Sequence, residues 1–168
     1  EGLTWQNITA GLPDSMFCTA VAIDDNDPKI VYATFGGFAE GQKVFKSINA
    51  GVTWINISRN LPNIPFNTIV QDIQSGNNAL YVGGDVGIYY TNDSLSEWKL
   101  YSKSFPNVIV SDLEIHPKER RLYASTFGRG VWSVGVIDTV YNFPKINNPT
   151  KPPVAIDTEV FRDSDIRW

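Results

Sequence analysis

The chain has a single histidine, a single cysteine and a single methionine among 168 residues, and each scarcity excludes a class of chemistry. With His116 alone, no multi-histidine zinc site can be assembled. Cys18 alone permits no internal disulfide and reads as a small buried apolar residue. Basic residues number 14 against 18 acidic ones, giving a net charge of −4. No basic stripe exists to release counterions from a phosphate backbone, which excludes nucleic acid as a partner. No apolar run approaches the roughly 20 residues of a membrane-spanning helix, so the chain is not expected to cross a membrane. Also missing is any stretch with a helical period of apolar residues. The first residue is Glu1 rather than Met, which fits a leader that was removed or that lies upstream.

What the sequence does hold is a repeat. The run Thr4-Trp5-Gln6-Asn7-Ile8-Thr9-Ala10-Gly11-Leu12-Pro13 matches Thr53-Trp54-Ile55-Asn56-Ile57-Ser58-Arg59-Asn60-Leu61-Pro62 at Thr, Trp, Asn, Ile, Leu and Pro. A third copy keeps Trp98 and Pro106. A second anchor drifts in step with the first: Tyr32-Ala33-Thr34-Phe35-Gly36, Tyr81-Val82-Gly83-Gly84 and Tyr123-Ala124-Ser125-Thr126-Phe127-Gly128. Two independent anchors moving together establish a tandem repeat of about 40 to 50 residues.

Each period is made of short runs rich in β-branched and aromatic residues. The first gives strands over 19–24, 30–35, 43–47 and 53–57, the second over 68–73, 80–83, 87–91 and 98–101, and the last over 108–115, 121–125 and 130–136. Polar turns separate the first two strands of each period, at 25–28, 75–78 and 117–120. Four strands per period of this length indicate β-propeller blades. The expected fold is therefore all-β: a partial propeller over 1–136, of about three four-stranded blades. An orphan outer strand over 4–8 brings the count to 12. That is too few for a closed propeller of at least four blades, which implies a segment of a larger polypeptide, or one that docks on other chains to hide its open edges.

The turn between the third and outer strands of the first period is Ser47-Ile48-Asn49-Ala50-Gly51-Val52-Thr53-Trp54. Asn49 is expected to accept hydrogen bonds from the turn's own backbone, and Gly51 to supply a conformation that a Cβ opposes. These residues resemble the Asp-box, or BNR repeat, Ser-x-Asp-x-Gly-x-Thr-Trp, of sialidases, sortilin-type receptors, xyloglucanase-like glycosidases and a photosystem assembly factor. Ser47, Gly51, Thr53 and Trp54 match, while Asn49 stands in place of the aspartate. The copy at 91–98 keeps Trp98 and an Asp93 out of register. The resemblance implies a propeller whose box turns lie at the blade edge, far from the central site, and it assigns the turn a structural role. Residues 124–132 look like the final blade of secreted bacterial proteins of this kind, which implies an extracellular or cell-surface location. In propellers such a last blade often borrows its outer strand from the beginning of the chain.

Several residues carry candidate chemistry. Asp24, Asp25 and Asp27 invite a calcium reading, but lack the Gly and bidentate Glu at the spacing of a calcium loop. Ser111, Asp112 and His116 are triad residue types, yet they do not share one strand face. Glycoside hydrolysis needs two carboxylates across one cleft. Asp24, Asp72 and Asp112 lie at or near inner-strand ends, with Asp85 in a following loop, and are the candidates to line a central channel. The sialidase resemblance would require an arginine trio, a Tyr-Glu pair and a Phe-Arg-Ile-Pro motif, and the motif is absent. A xyloglucanase resemblance implies carboxylates on two propellers, of which this chain could hold one at most. The binding alternative asks less of the sequence, with Phe38, Tyr89, Tyr90, Phe127, Arg129 and Trp132 as contacts for a glycan or protein. No cofactor and no metal is expected. The triplets at Asn7, Asn56 and Asn92 fit the glycosylation pattern, but two of them are by-products of the Trp-x-Asn-Ile repeat.

Beyond the blades the chain changes character. Residues 137–153 are rich in proline and read as an extended linker. Residues 154–160 alternate as a strand does and resemble the opening of an immunoglobulin-like or cadherin-like module. The 154–168 segment is expected to be the start of a further β module or a tail that pairs with the propeller edge, with Phe161 and Trp168 covered rather than left in water.

Overall fold

The computed structural model describes residues 4–101 and 104–137. The linker and tail assigned to 137–153 and 154–168 lie, beyond Ile137, outside the described residues. Eleven strands form three antiparallel sheets, and no helix occurs among the described residues. Blade 1 comprises β1 (Cys18–Ile23), β2 (Val31–Phe35), β3 (Val44–Ser47) and β4 (Ile55–Asn56). Blade 2 comprises β5 (Phe66–Asp72), β6 (Ala79–Gly84), β7 (Gly87–Thr91) and β8 (Lys99–Leu100). Blade 3 has β9 (Val110–His116), β10 (Arg121–Thr126) and β11 (Val131–Gly135). Strand order in every sheet follows the sequence, as hairpin-linked blades require. The architecture is a partial β-propeller.

Two expectations need correction. Residues 4–8 form no strand, because no neighbouring strand is present among the described residues to complete their ladder. Trp5 is accordingly 96% exposed. Cys18, expected to be buried, is exposed at the start of β1.

The turn at 47–54 is closed by its own side chains. The Ser47 hydroxyl accepts from the Gly51 and Asn49 amides at 2.8 and 3.2 Å and donates to Asn49 Oδ1 at 3.0 Å. Asn49 Oδ1 also accepts from the Thr53 amide at 2.9 Å, while its amide nitrogen donates to Thr53 Oγ1 at 2.9 Å. The backbone at Gly51 runs at φ 85°, and a Cβ there would meet Ile8 Cδ1 at 2.5 Å. Glycine is thus required twice over, by conformation and by space.

The blades stack through recurring contacts. At the inner rim Thr19 Oγ1 donates to Phe66 O (2.6 Å), and Asn67 Nδ2 donates to Val110 O (3.1 Å). Thr19 and Asn67 are the extra residues of matching β-bulges, which aim their side chains at the next blade. At the outer rim the indole N–H of Trp54 donates to Ile8 O, and that of Trp98 to Ile57 O, both at 2.8 Å. Between the rims the seams are apolar. Tyr32, Val44, Leu61, Phe66, Leu80 and Trp98 fill the first seam, and Tyr81, Tyr90, Val110, Leu113 and Leu122 the second. Gly83 lets the second pair of sheets close, since a Cβ there would lie 2.5 Å from Val110 Cγ1.

Blade 3 departs from this pattern on its far side. The register puts Glu114, Tyr123 and Ser133 in one row and Asp112, Ser125 and Val131 in the next. These correspond to the apolar rows that blades 1 and 2 press into their following neighbours, but here they are largely polar.

Candidate functional site

The inner strands β1, β5 and β9 lie side by side and leave a concave groove of about 480 Å³ along their exposed face. Ala22, Thr68, Gln71, Asp112 and Glu114 are among the residues that line it. Its two ends differ in chemistry. One end carries the turns between first and second strands together with the box turn, which the Ala50 amide ties to Lys29 O at 2.8 Å. The opposite end carries the starts of the inner strands and the loops joining second to third strands.

Asp24 and Asp72 belong to the first end and are withdrawn from solvent. Asp24 is 5% exposed; its Oδ1 accepts from the amides of Asn26 and Asp27 at 2.8 and 3.1 Å. Its Oδ2 accepts from Gln71 Nε2 at 2.8 Å, tying blade 1 to blade 2. Burial works against ionisation of this carboxyl. The hydrogen bonds from Gln71, Asn26 and Asp27, with the charge of Lys46, outweigh burial and hold its pKa below the usual aspartate value. A folded-state pKa below the unfolded one contributes stability above the unfolded value of about 3.9, which is lost as pH falls through the folded value. Urea denaturation across pH should therefore show wild type more stable than Asp24→Asn at neutral pH, with the gap narrowing below about pH 4.

Asp72 closes β5 and receives a two-pronged contact from Arg120 in the β9–β10 turn, at 2.6 and 2.7 Å. Both side chains are almost completely buried, at 5% and 1% exposure. The Asp72 carboxylate also accepts from the Gln74 amide at 3.1 Å. Both aspartates therefore hold hairpin turns and fasten neighbouring blades. Arg120 was not among the sequence candidates; it reads there as one more polar turn residue.

Asp112 is placed differently. It is the third residue of β9, nearer the strand's start than its end, and it is exposed in the groove. Its Oδ1 accepts from Thr68 Oγ1 at 3.2 Å and from the Leu113 amide at 2.9 Å. Asp85, in the β6–β7 turn at the same end, accepts from Asn67 Nδ2 at 3.2 Å. Ser111, Asp112 and His116 do not converge: Ser111 bonds to Ser125 at 2.8 Å, and His116 Nδ1 accepts from the Glu119 amide at 3.1 Å. Among the described residues no group of three His, Cys, Asp or Glu side chains could hold a metal ion.

Large apolar side chains stand out at this second end. Phe17, Phe38 and Phe127 are 83%, 71% and 76% exposed. Phe17 and Phe127 take part in the same recurring backbone pairing, Gly36 N to Phe17 O and Phe127 N to Ile109 O, which fixes the loops where inner strands begin. Of the other suggested contacts, Tyr90 is buried in the seam between blades 2 and 3, and Trp132 is half-exposed against Phe105. Phe17 escaped the sequence reading because it precedes a strand and resembles ordinary core residues there. Beneath this end, Lys43 is fully buried and donates to Gly37 O at 2.8 Å. Burial draws its pKa down.

No helix of the described residues is long and apolar enough to cross a membrane. No family model and no curated protein matches the chain. Among solved structures it is similar to the GH74 enzyme of Niastella koreensis, at 20% identity and a TM-score of 0.57, over 68% of this chain and 19% of that one. The likeness is one of fold: the chain spans about a fifth of the length of that enzyme, and its own sheets are propeller blades.

Proposed function

We infer that the chain is a non-catalytic binding or assembly segment of a larger secreted or cell-surface β-propeller, in which further blades come from a longer polypeptide or from other chains. It recognises a glycan or a protein through the end of the stack opposite the box turns. The observation that carries this reading is the exposure of Phe17, Phe38 and Phe127 at that one end. Large aromatic side chains exposed on loops at one end of a stack of sheets are suited to contacting a partner. The groove contributes hydrogen-bonding groups, with Asp112 and Glu114 on one strand face and Thr68 beside them. Asp24 and Asp72 are structural in this reading, because their oxygens are already committed to turns and to the next blade.

The competing reading, a propeller glycoside hydrolase, requires an accessible acid–base pair across a cleft. Asp112 is the sequence candidate that lies in the groove. A glycan array followed by a reducing-end assay separates the two. Retention of a glycan without release of reducing ends is expected, with Phe38→Ala and Phe127→Ala each weakening retention by about tenfold, as loss of an aromatic contact does. Release of reducing ends that stops in Asp112→Asn would replace the binding reading with the enzymatic one.

A further inference from the structure

The second seam has a cavity where the first has a tryptophan. In the first seam Trp98, on outer strand β8, is 2% exposed and packs in one cluster with Val44, Leu61, Leu80 and Val82. The register of the repeat places Ile88, Phe105, Leu122 and Ala124 in the corresponding positions one blade on. Those four residues line a cavity of about 290 Å³, with Trp132 at its mouth. Directly beside it runs the outer edge of β11, which no fourth strand covers among the described residues. All five residues of β11 are exposed.

A second outer-strand pattern has no sheet to pair with among the described residues. Thr4-Trp5-Gln6-Asn7-Ile8 repeats the pattern of 53–57, where Ile55 and Asn56 form β4. Its exit turn is already formed: Asn7 Oδ1 accepts from the Thr9 amide at 3.0 Å, as Asn56 Oδ1 does from Ser58 at 2.9 Å. The Leu12 amide likewise donates to Thr9 O at 2.9 Å, as Leu61 does to Ser58 O at 3.0 Å. What is lacking is the sheet edge and the socket for Trp5.

Insertion within one molecule is excluded by reach. Ile8 is held on blade 1 by Trp54, and three extended residues span about 10 Å. Blade 3 lies two sheets further along the stack, about 20 Å away at ordinary sheet spacing.

We propose that the β11 edge and its cavity take the Thr4–Ile8 strand of a second copy of this chain. Following the register of β4 on β3 and of β8 on β7, Gln6 pairs with Ser133 and Asn7 with Trp132, and Trp5 enters the cavity. Strand addition satisfies the open edge, and the indole fills the apolar socket. Because Trp54 holds Ile8, the added strand also brings blade 1 of one copy up to the far side of blade 3 of the other, which presents Glu114, His116 and Arg121, so the strand and its tryptophan supply the apolar part of the contact. The inference rests on the assembly part of the proposed function, and it is tested separately from glycan retention.

Sedimentation of the full chain over a concentration series provides the test. Wild type should self-associate with increasing concentration, and Trp5→Ala should weaken this by at least roughly tenfold, the effect of losing an anchoring tryptophan. Trp5 is 96% exposed in the single copy, so the variant folds as wild type does, which melting temperature verifies. A labelled peptide of residues 4–10 should bind Trp5→Ala, and the same peptide with alanine for tryptophan should not. Wild type that stays monomeric, or Trp5→Ala that associates equally, overturns the proposal. Peptide binding by a monomeric wild type also overturns it, and assigns the socket to a strand from another polypeptide.

Discussion

Replacing Trp98 by alanine should destabilise the protein by about 3–5 kcal/mol, the usual cost of emptying a buried tryptophan site. The indole lies within the first seam, and its N–H holds Ile57 O, so truncation opens a cavity and strands a carbonyl together. Truncation of Trp5, of the same type in the same repeat position, should leave the stability of the single copy unchanged. Thermal melting of both variants measures the contrast. In a domain of this size the Trp98→Ala loss corresponds to a melting point lower by roughly 10 °C. Equal effects at the two positions would mean that repeat position, rather than the neighbouring blade, determines what a box tryptophan contributes. The repeat offers its own series for this comparison, because Trp54 is half-buried, between the two extremes.

Replacing Arg120 by methionine should cost about 3–5 kcal/mol, because it leaves the Asp72 carboxylate buried without its cation. The pair bridges blades 2 and 3, so the damage should concentrate in that seam. Hydrogen exchange should quicken in β9 and β10 while β1 to β3 stay protected. The double variant Asp72→Asn, Arg120→Met should recover much of the loss, since removing both charges also removes the burial penalty. A single variant as stable as wild type would show that water reaches the pair and screens it. By contrast, the exposed Lys99–Glu97 pair should contribute little to stability.

Much of the blade pattern is legible in the sequence because its causes are local. Strand runs such as 31–35 and 87–91 follow from β-branched and aromatic content, and the turn at 47–54 from side chains that bond to their own backbone. The recurring Tyr32, Tyr81 and Tyr123 anchors mark one position of the second strand in every blade. Two of them are buried in seams, and burial raises both phenols, Tyr32 to about 12. The third faces the polar far side of blade 3 and is only half-buried. Identical residues at identical register thus meet different surroundings, which no reading of the repeat alone separates.

The site was less legible. Three aspartates of similar appearance in the sequence divide into two buried fasteners and one groove residue. The division depends on Gln71 and Arg120, which arrive from the following blade. Residues 4–8 show the same limit from the other side: a strand pattern remains unpaired until a sheet edge is there to receive it.

By itself the sequence determined the period, the alternation of strands and turns, and the all-β class, since each depends on interactions spanning a few residues. Stacking of the sheets decided the rest: which carboxylates are buried, which tryptophan is seated, and which edge and socket stay open. Those outcomes depend on contacts between side chains about forty or more residues apart in sequence, brought together only when one blade packs on the next.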